Sequence, residues 1–328
     1  MSNFHFLISE SGISESLLSQ SKIASTRLRI FPCIKALINY SLMVSFGEFI
    51  SHQSSSVIVG KIGLHNIHLR SEAWLTEITN AKSRGSSIFL DYTDHHLGIL
   101  GPMTQFYKSV IELVDHCIVP SSVMARLLSN FYDGPITVIE DAIEISPQPV
   151  KKSVTSLSPT AFWFGHASNI NFLIDLINSS GFLMSGCNLI VLSNEQGLDI
   201  FSRNSLRFID SQNIRLGLWS VESMLSAASI ADFSIIPSDL SNPSKVGASS
   251  NRLITSFALG LPTAADHLSS YQEFSDCYVD IRGPFFNKMV LNPLNFSNLA
   301  ISAQSLYVNR FKSESIGQQW LNFLVNHQ

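Results

Sequence analysis

Short apolar runs bounded by turn residues, alternating with longer mixed segments, limit what this chain can fold into. The alternation is typical of parallel strands joined by crossover helices that cover the faces of a sheet. It predicts two series of five strands. They are Phe4–Ile8, Val57–Val59, Ser87–Leu90, His116–Val119 and Ile136–Ile139, then Ala161–Phe164, Asn188–Leu192, Ile214–Leu218, Phe233–Ile236 and Thr263–Ala265.

A linker separates the two series of strands. Residues 145–159 combine prolines, lysines and serines, a composition that favours an extended connection over a helix or strand. The chain has 328 residues, enough for two domains of ordinary size. We therefore predict an α/β protein with two Rossmann-like domains, over residues 1–150 and 151–328.

Composition excludes several classes of protein. The net charge of -4 gives no general attraction to nucleic acid. The four cysteines are widely spaced, without CxxC pairs or zinc spacing, so buried thiols in a reducing compartment are expected. No apolar run reaches the roughly 18 residues of a membrane span, and the first residues lack the pattern of a signal peptide. The sequence predicts a cytoplasmic protein.

The segment 22–38 is both basic and apolar. Lys22, Arg27, Arg29 and Lys35 are interspersed with isoleucines, leucines and a phenylalanine. Such a surface suits peripheral contact with a membrane or a lipid-linked acceptor. The alternative is an ordinary helix and strand whose charged side faces water.

The clearest binding signal lies between residues 231 and 263. A buried strand ends at Pro237, a polar loop carries Lys245, and a helix begins near the Ser249-Ser250-Asn251-Arg252 run, before a Gly260-Leu261-Pro262 turn. Unpaired amides at a helix start, beside Lys and Arg side chains, suit a phosphate. A capped surface helix with two solvated cations is the alternative.

Two further loops follow predicted strands at their carboxyl ends, where open α/β sheets bind ligands. In the second half of the chain, Gly165, His166 and Asn169 are candidates for binding a phosphate or a sugar hydroxyl. The alternative there is a tight turn capped by Asn169.

In the first half, the loop residues Asp91, Asp94 and His95 are candidates for removing a proton from an acceptor hydroxyl. Structural capping and a metal site are the alternatives for this loop. The Asp91…Asp94 spacing is not the DxD that holds a metal–diphosphate, and no metal is predicted.

The order of these motifs resembles the GT-B glycosyltransferases. The resemblance is clearest from Trp219 to Pro262, and the Gly165-His166 loop looks like the first loop of the family's donor domain. It implies two Rossmann-like domains facing across a cleft, with acceptor binding in the N-terminal domain and nucleotide-sugar binding in the C-terminal one. The last helix, predicted over about 314–325, is expected to pack back on the N-terminal domain.

The implied function is that of a hexosyltransferase-like enzyme of polysaccharide biosynthesis. A sugar would pass from a nucleoside-diphosphate sugar to a hydroxyl of a glycan or lipid-linked acceptor, without metal or cofactor. Lys245, Ser249, Ser250, Asn251 and Arg252 would hold the donor diphosphate. The chain departs from the family at the two glutamates of its retaining members, which have seven residues between them. Gly247 and Thr255 occupy those places.

Two alternatives from other classes remain at this stage. A catalytically silent GT-B relative that binds sugars or partners fits the absent glutamate pair. A dinucleotide-dependent oxidoreductase predicts GxGxxG after the first strand, where the chain has Ser9-Glu10-Ser11-Gly12.

Overall fold

A computed structural model of the chain describes residues 3–10, 12, 14–21, 23–151, 158–180, 186–205, 213–241 and 246–327. The described residues fall into two compact units. The N-terminal unit takes its residues from Met1–Ala142, Asn242–Ser249 and Arg310–Gln328, and the C-terminal unit from Ile143–Ser241 and Ser250–Asn309. The chain therefore returns to the N-terminal unit at its end.

The N-terminal unit is built on a six-stranded parallel sheet of order β2-β1-β3-β4-β5-β6. Its strands are β1 Asn3–Leu7, β2 Met43–Gly47, β3 Ser56–Val59, β4 Ser87–Asp91, β5 His116–Val119 and β6 Ile136–Val138. The central strands are buried on both faces, which is why they read as continuous apolar runs.

Helices cover both faces of this sheet. They are α1 Glu15–Leu18, α2 Phe31–Asn39, α3 Ile67–Ser83, α4 Thr104–Ile111 and α5 Ser122–Leu128, with a π-helix at Thr26–Ile30 before α2. The C-terminal helix, which we number α12, spans Ser313–Asn326 and packs on α2. Gly317 permits the close approach, because a Cβ there would lie 2.7 Å from the carbonyl oxygen of Pro32.

The C-terminal unit repeats the architecture with a parallel sheet of order β12-β11-β10-β7-β8-β9. Its strands are β7 Thr160–Phe164, β8 Asn188–Ser193, β9 Ile214–Leu218, β10 Phe233–Ile236, β11 Thr263–Ala265 and β12 Val279–Asp280. One core cluster of this unit gathers Trp163, Leu189, Phe233 and Phe286 beneath the helices.

The described helices of this unit are α6 Ile170–Ser180, α7 Glu195–Ser205, α8 Val221–Ile230, α9 Asn251–Ala258, α10 Phe285–Leu291 and α11 Ser297–Ala303. A 3-10 turn at Ala167–Asn169 precedes α6, and a longer 3-10 segment, Ser269–Cys277, follows β11. A second π-helix, Gln304–Val308, lies near the end of the unit.

The predicted α/β fold with two Rossmann-like sheets is confirmed. All ten predicted strands are present; four have the predicted bounds, and the ends of the other six differ by one residue. Two strands were not predicted: β2 lies at a sheet edge with mixed exposure, and β12 is only two residues long. The predicted domain boundary at residue 150 and the acceptor and donor roles of the two domains stay predictions, and residues 152–157 of the linker lie outside the described residues.

Within the described part of the chain, no helix combines the length and apolarity needed to cross a membrane.

Candidate active site

The topology of the C-terminal sheet points to one place for a ligand. From β7 the chain moves outward through β8 and β9, then crosses to the other side of β7 for β10, β11 and β12. The strand order therefore reverses between β7 and β10, and open α/β sheets bind ligands beside the carboxyl ends of the strands at such a reversal. Gly165 follows β7 there, and Pro237 follows β10.

The amides of the loop after β7 have acceptors within the C-terminal unit. Gly165 N–H donates to Leu192 O at 3.1 Å and Asn169 N–H to His166 O at 2.9 Å. Ser168 N–H donates to His166 Nδ1 at 3.2 Å, so His166 caps the turn that leads into α6. Any contribution of this loop to ligand binding therefore comes from side chains and not from these amides.

Two residues at the end of β8 lock this loop in place. Ser193 Oγ donates to Gly165 O at 2.7 Å. Asn194 Oδ1 accepts Ala167 N–H at 3.1 Å and Gly197 N–H at 3.2 Å, which joins the loops after β7 and β8. Neither residue was singled out from the sequence, since an amide acceptor role depends on contacts that only the folded chain brings together.

The start of α9 is different, because its N-cap Ser250 makes no side-chain hydrogen bond to the helix. Arg252 lies on the first turn of α9, and its Nη1 is buried without a hydrogen-bond partner among the described residues. This nitrogen would lie 3.5 Å from a Cβ built on Gly165, so it stands directly beside the loop after β7. Ser249 and Asn251 flank the N-cap, whereas Lys245 lies outside the described residues.

A buried carboxylate ties together the strand ends on the other side of β10. Asp266, directly after β11, accepts Ser238 N–H at 2.7 Å. It also accepts Arg282 Nε at 2.5 Å and Nη2 at 3.2 Å. The carboxyl ends of β10, β11 and β12 are thereby held together, which fixes the loop that leaves β10.

The predicted acidic loop of the N-terminal unit follows β4, and its Asp91 lies in the core. Asp91 is fully buried and pairs with Arg29, which is equally buried, through Nε at 2.8 and 3.0 Å. Arg29 also donates to Ile139 O at 2.6 Å and to Asp141 at 3.0 Å. Burial raises the pKa of Asp91 and the Arg29 charge opposes that rise. This carboxylate is enclosed by its partners and has no exposed surface for an acceptor hydroxyl.

Asp94 and His95 have separate surroundings in the same loop. Asp94 is partly exposed and forms an ion pair with Lys61, which follows β3. His95 is buried, with Nδ1 3.4 Å from the Tyr92 hydroxyl. Gly98 covers the other side of the His95 ring, because a Cβ at that position would overlap Nε2. The imidazole of His95 is thus packed on both sides.

The next residue, His96, was not among the predicted site residues. Its ring stacks on Tyr107, with 4.8 Å between centroids and an interplanar angle of 11°. Its Nε2 and the nearby Thr93 Oγ1 are buried without hydrogen-bond partners among the described residues. Burial lowers the pKa of His96, although the Asp94 charge opposes this, so the ring is neutral at pH 7. Only the fold distinguishes it from its neighbour His95.

The basic, apolar segment 22–38 faces largely inward. Its apolar residues Leu28, Ile30, Ile34 and Leu37 are buried against the core, and Arg29 is enclosed by its carboxylates. Arg27 donates to Ser21 O at 2.5 Å, and Lys22 lies outside the described residues. Among the basic and large apolar side chains described in this segment, Lys35 and Ile38 are exposed and Arg27 is half-buried. The exposed Tyr40 follows them.

The described residues contain no cluster of three or more His, Cys, Asp or Glu side chains arranged to hold a metal ion.

No family model matches this chain, and no curated protein matches its sequence. Solved structures match its fold. TarM, of which an S. aureus form has been solved, superposes with a TM-score of 0.60 at 12% identity over 81% of this chain and 54% of TarM. The pneumococcal O-GlcNAc transferase GtfA gives a TM-score of 0.56 at 12% identity, over 83% of this chain and 56% of GtfA. AviGT4, a glycosyltransferase involved in avilamycin A biosynthesis, gives 0.55 at 10% identity, over 98% of this chain and 96% of AviGT4.

These similarities confirm the predicted fold class. The chain has the GT-B fold of two Rossmann-like units, each with its own parallel sheet. It spans about half the length of TarM and GtfA. At these low identities the similarity concerns the fold.

Proposed function

We propose that this protein is a glycosyltransferase that moves a sugar from a nucleoside-diphosphate sugar to a hydroxyl acceptor. The observation that carries the proposal is the buried Nη1 of Arg252, which has no hydrogen-bond partner in the part of the chain that the structure describes. It lies beside Gly165, where the strand order of the C-terminal sheet reverses. A buried N–H without a partner costs about 1–3 kcal/mol. An anionic ligand at this place removes that cost.

The proposed roles of these residues follow from the negative charge that develops on the leaving diphosphate. The acceptor oxygen forms a bond to the anomeric carbon, and the bond from that carbon to the β-phosphate oxygen breaks. Its electron pair leaves with the diphosphate, so negative charge grows there. The Arg252 guanidinium and the uncapped start of α9 offset that charge, and the side chains of Lys245, Ser249 and Asn251 supply further donors.

We take the nucleotide to be uridine diphosphate. GtfA has been solved with UDP and GlcNAc, and a TarM variant with UDP among its ligands. In the C-terminal unit of this chain, the Arg252 guanidinium lies at the place of strand reversal and suits the diphosphate of such a nucleotide. His166 and Asn169, on the loop after β7, remain the proposed side-chain contacts to the donor.

The acceptor belongs, in this proposal, to a surface polysaccharide or glycolipid and binds in the N-terminal unit. His96 is the acceptor-side base, since its ring is neutral at pH 7 and its buried Nε2 has no hydrogen-bond partner among the residues that the structure describes. Asp94, held by Lys61, orients the acceptor or the imidazole. The hydroxyl proton passes to His96 as the new glycosidic bond forms.

A matched pair of histidines tests this assignment. His96→Gln should lower kcat by about 10²–10⁴-fold with nearly unchanged affinity for UDP, the range expected for loss of a general base. His95→Gln should act mainly on stability, because that ring is packed between Tyr92 and Gly98. Activity of the wild type should persist below pH 6.5 and fall only as His96 becomes protonated, because burial lowers its pKa. Equal losses of kcat in both variants would contradict the assignment.

Metal independence and membrane contact belong to the same proposal. Transfer should survive EDTA. An activity that is lost on chelation and restored by Mg²⁺ or Mn²⁺ would refute metal independence.

Peripheral attachment to the cytoplasmic membrane face would rest on Lys35, Ile38 and Tyr40, a smaller surface than the sequence predicts. Flotation with vesicles of anionic phospholipid should be weakened by Lys35→Glu. No flotation of the wild type would remove the membrane part.

The central experiment is a thermal-shift screen of UDP, GDP, CDP and their sugars on the purified full chain. A ligand at 100 times its Kd adds about 2.7 kcal/mol of stability. UDP and a UDP-sugar should raise Tm, and Arg252→Ala and Lys245→Ala should reduce that rise. Arg203→Ala is the control, because Arg203 is exposed and pairs with Asp199 on α7. A wild type that responds to no nucleotide diphosphate overturns the proposal.

A catalytically silent sugar-binding protein is the second candidate, favoured by Gly247 and Thr255 at the places of the family's glutamates. Gly247 packs on α5, and a Cβ there would lie 3.0 Å from Met124 Cε. A glutamate at that position would therefore require α5 to move. Release of UDP from UDP-sugar in the presence of cell-envelope glycans separates an enzyme from a binding protein.

A further inference from the structure

The strand β2 forms one edge of the N-terminal sheet, and no other described strand pairs with its outer side. Its sequence, Met43-Val44-Ser45-Phe46-Gly47, contains no charged residue and no proline. Met43 is 49% exposed, and the other four residues are half-buried. An edge strand of this composition presents backbone groups to which another strand can add.

The other three edges of the two described sheets are protected. β6 has three residues and follows Pro135, and β12 has only two residues. β9 carries the exposed Arg215. Short strands, prolines and charges at an edge all hinder the addition of another strand. Among these four described edges, β2 therefore stands apart as the one that can accept a strand.

The pairing with β1 decides which backbone groups of β2 point away from the sheet. Ile8 N–H donates to Gly47 O at 3.0 Å, so the backbone of Gly47 faces β1. The backbone groups of successive residues in a strand point alternately to its two sides. Those of Met43 and Ser45 therefore also face β1, whereas the N–H and C=O groups of Val44 and Phe46 face outward.

A second copy of β2 matches these outward groups. A two-fold axis that passes between the two Ser45 residues, perpendicular to the sheet, makes the strands antiparallel and places the same surface on both subunits. Val44 then lies opposite Phe46 of the second copy, and these two residues exchange both of their backbone hydrogen bonds. The symmetric pair does the same, so every outward N–H and C=O group of Val44 and Phe46 gains a partner.

The side chains match in the same register. Val44 and Phe46 lie on the face of the sheet that packs against α2 and α12, and β-branched and aromatic residues are favourable neighbours across two strands. On the other face, Met43 lies opposite Gly47 of the second copy, which has no side chain, and the small Ser45 lies opposite itself. No like charges meet, because the strand has none.

We propose that the protein forms a homodimer through antiparallel pairing of two β2 strands, which joins the two N-terminal sheets into one. The contact is short, so we expect a dissociation constant of about 1–100 μM, the range of a transient interface. The inference goes beyond the proposed function and does not depend on nucleotide binding.

Sedimentation velocity of the purified full chain from about 1 to 100 μM tests the proposal. The wild type should change from monomer to dimer over this range. Ser45→Lys and Ser45→Glu should each weaken the dimer at least tenfold, because like charges then face each other across the axis. An equimolar mixture of the two variants should form a heterodimer, because opposite charges then face each other.

Val138→Lys is the matched control, since Val138 is an apolar residue, 39% exposed, on the opposite edge of the same sheet. It should leave dimerisation unchanged. Circular dichroism checks the folding of each variant, because Ser45 Oγ lies 2.8 Å from His5 Nδ1 and its replacement removes that contact. If the Ser45 variants do not fold, Met43→Lys, at the exposed end of β2, replaces them and should weaken the dimer about tenfold.

Three results overturn the inference. The first is a wild type that remains monomeric at about 100 μM, which would leave this edge to a strand of a different protein. The second is a mixture of folded Ser45 variants that forms no heterodimer. The third, where Met43→Lys is used instead, is a variant that dimerises as the wild type does.

Discussion

The starts of α6 and α9, both in the C-terminal unit, differ in how their hydrogen-bond donors are satisfied. Before α6, the amides of Gly165, Ala167, Ser168 and Asn169 all find acceptors in β8 or in the loops after β7 and β8. Before α9, Ser250 provides no side-chain cap, and Arg252 keeps a buried nitrogen without a partner among the described residues. The first is complete without a ligand and the second is not. Proximity to the place of strand reversal therefore does not by itself make a loop a binding site. A binding site also needs hydrogen-bond donors that the protein leaves unsatisfied.

The largest effect is expected from Asn194→Ala, which tests the start of α6. It removes the acceptor of two buried amides, Ala167 N–H and Gly197 N–H, each of which costs about 1–3 kcal/mol when left unpaired. Urea unfolding should show a loss of about 2–4 kcal/mol, while UDP affinity of the folded protein changes little. Asn194→Asp keeps an acceptor oxygen and should retain most of the stability. A variant that stays stable but loses UDP binding would reverse the roles of the two helix starts.

The corresponding test at the start of α9 changes Arg252. Arg252→Ala should weaken UDP by about 1.5–3 kcal/mol, the range for a hydrogen bond to a charged group. Unfolding without ligand should become easier by about 1–3 kcal/mol, because the buried Tyr271 hydroxyl loses its hydrogen bond to the Arg252 side chain. Calorimetry and urea unfolding of the same preparation measure both quantities. Unaltered UDP affinity would place the diphosphate elsewhere.

Gly165→Ala perturbs both helix starts at once. The added methyl would lie 3.0 and 3.1 Å from the Trp163 ring and 3.5 Å from Arg252 Nη1. Overpacking of this kind costs about 1–3 kcal/mol, and we expect the lower end because only one atom is added. UDP affinity should fall a few-fold as Arg252 is displaced. Thermal unfolding with and without UDP checks both effects, and stability equal to the wild type would show that the contact yields.

The smallest expected effect is the difference in unfolding free energy between removing the Ser220 side chain before α8 and removing the Ser250 side chain before α9. Ser220 caps α8 through a reciprocal bond with Ser223, so Ser220→Ala should cost about 1 kcal/mol. Ser250→Ala should cost only a few tenths, since Ser250 makes no such bond. Equal losses in urea unfolding would show that the start of α9 is capped in solution.

The sequence predicted the sheets well because buried parallel strands are recorded in local apolar runs. The three-residue strand Thr263–Ala265 was recognised from its Gly260-Leu261-Pro262 turn, whereas β2 was missed because an edge strand is only partly buried. Of the site residues, the start of α9 was identifiable from local chemistry. Asp266 follows a strand in the sequence and could have been noted for that reason.

The remaining parts of the site depend on distant partners. Asp91 and Asp94 look alike in the sequence, yet one meets Arg29 in the core and the other Lys61 at an accessible position. His95 and His96 are adjacent, and the difference between them comes from Gly98 and Tyr107. Burial and pairing of this kind are set by tertiary contacts, so a single sequence cannot assign them.

The packing of the last helix has a consequence for biosynthesis. Ile316, Trp320 and Leu324 of α12 lie in the same core cluster as Phe4 and Phe6 of the first strand. A ribosome adds roughly 5–20 residues per second, so about ten to forty seconds separate the emergence of β6 from that of α12. Throughout that interval the nascent N-terminal half exposes an apolar surface that only the end of the chain can cover. The residues of the C-terminal unit have all been synthesised by then, so that unit can form its core earlier. The N-terminal unit is synthesised first but completes its core last.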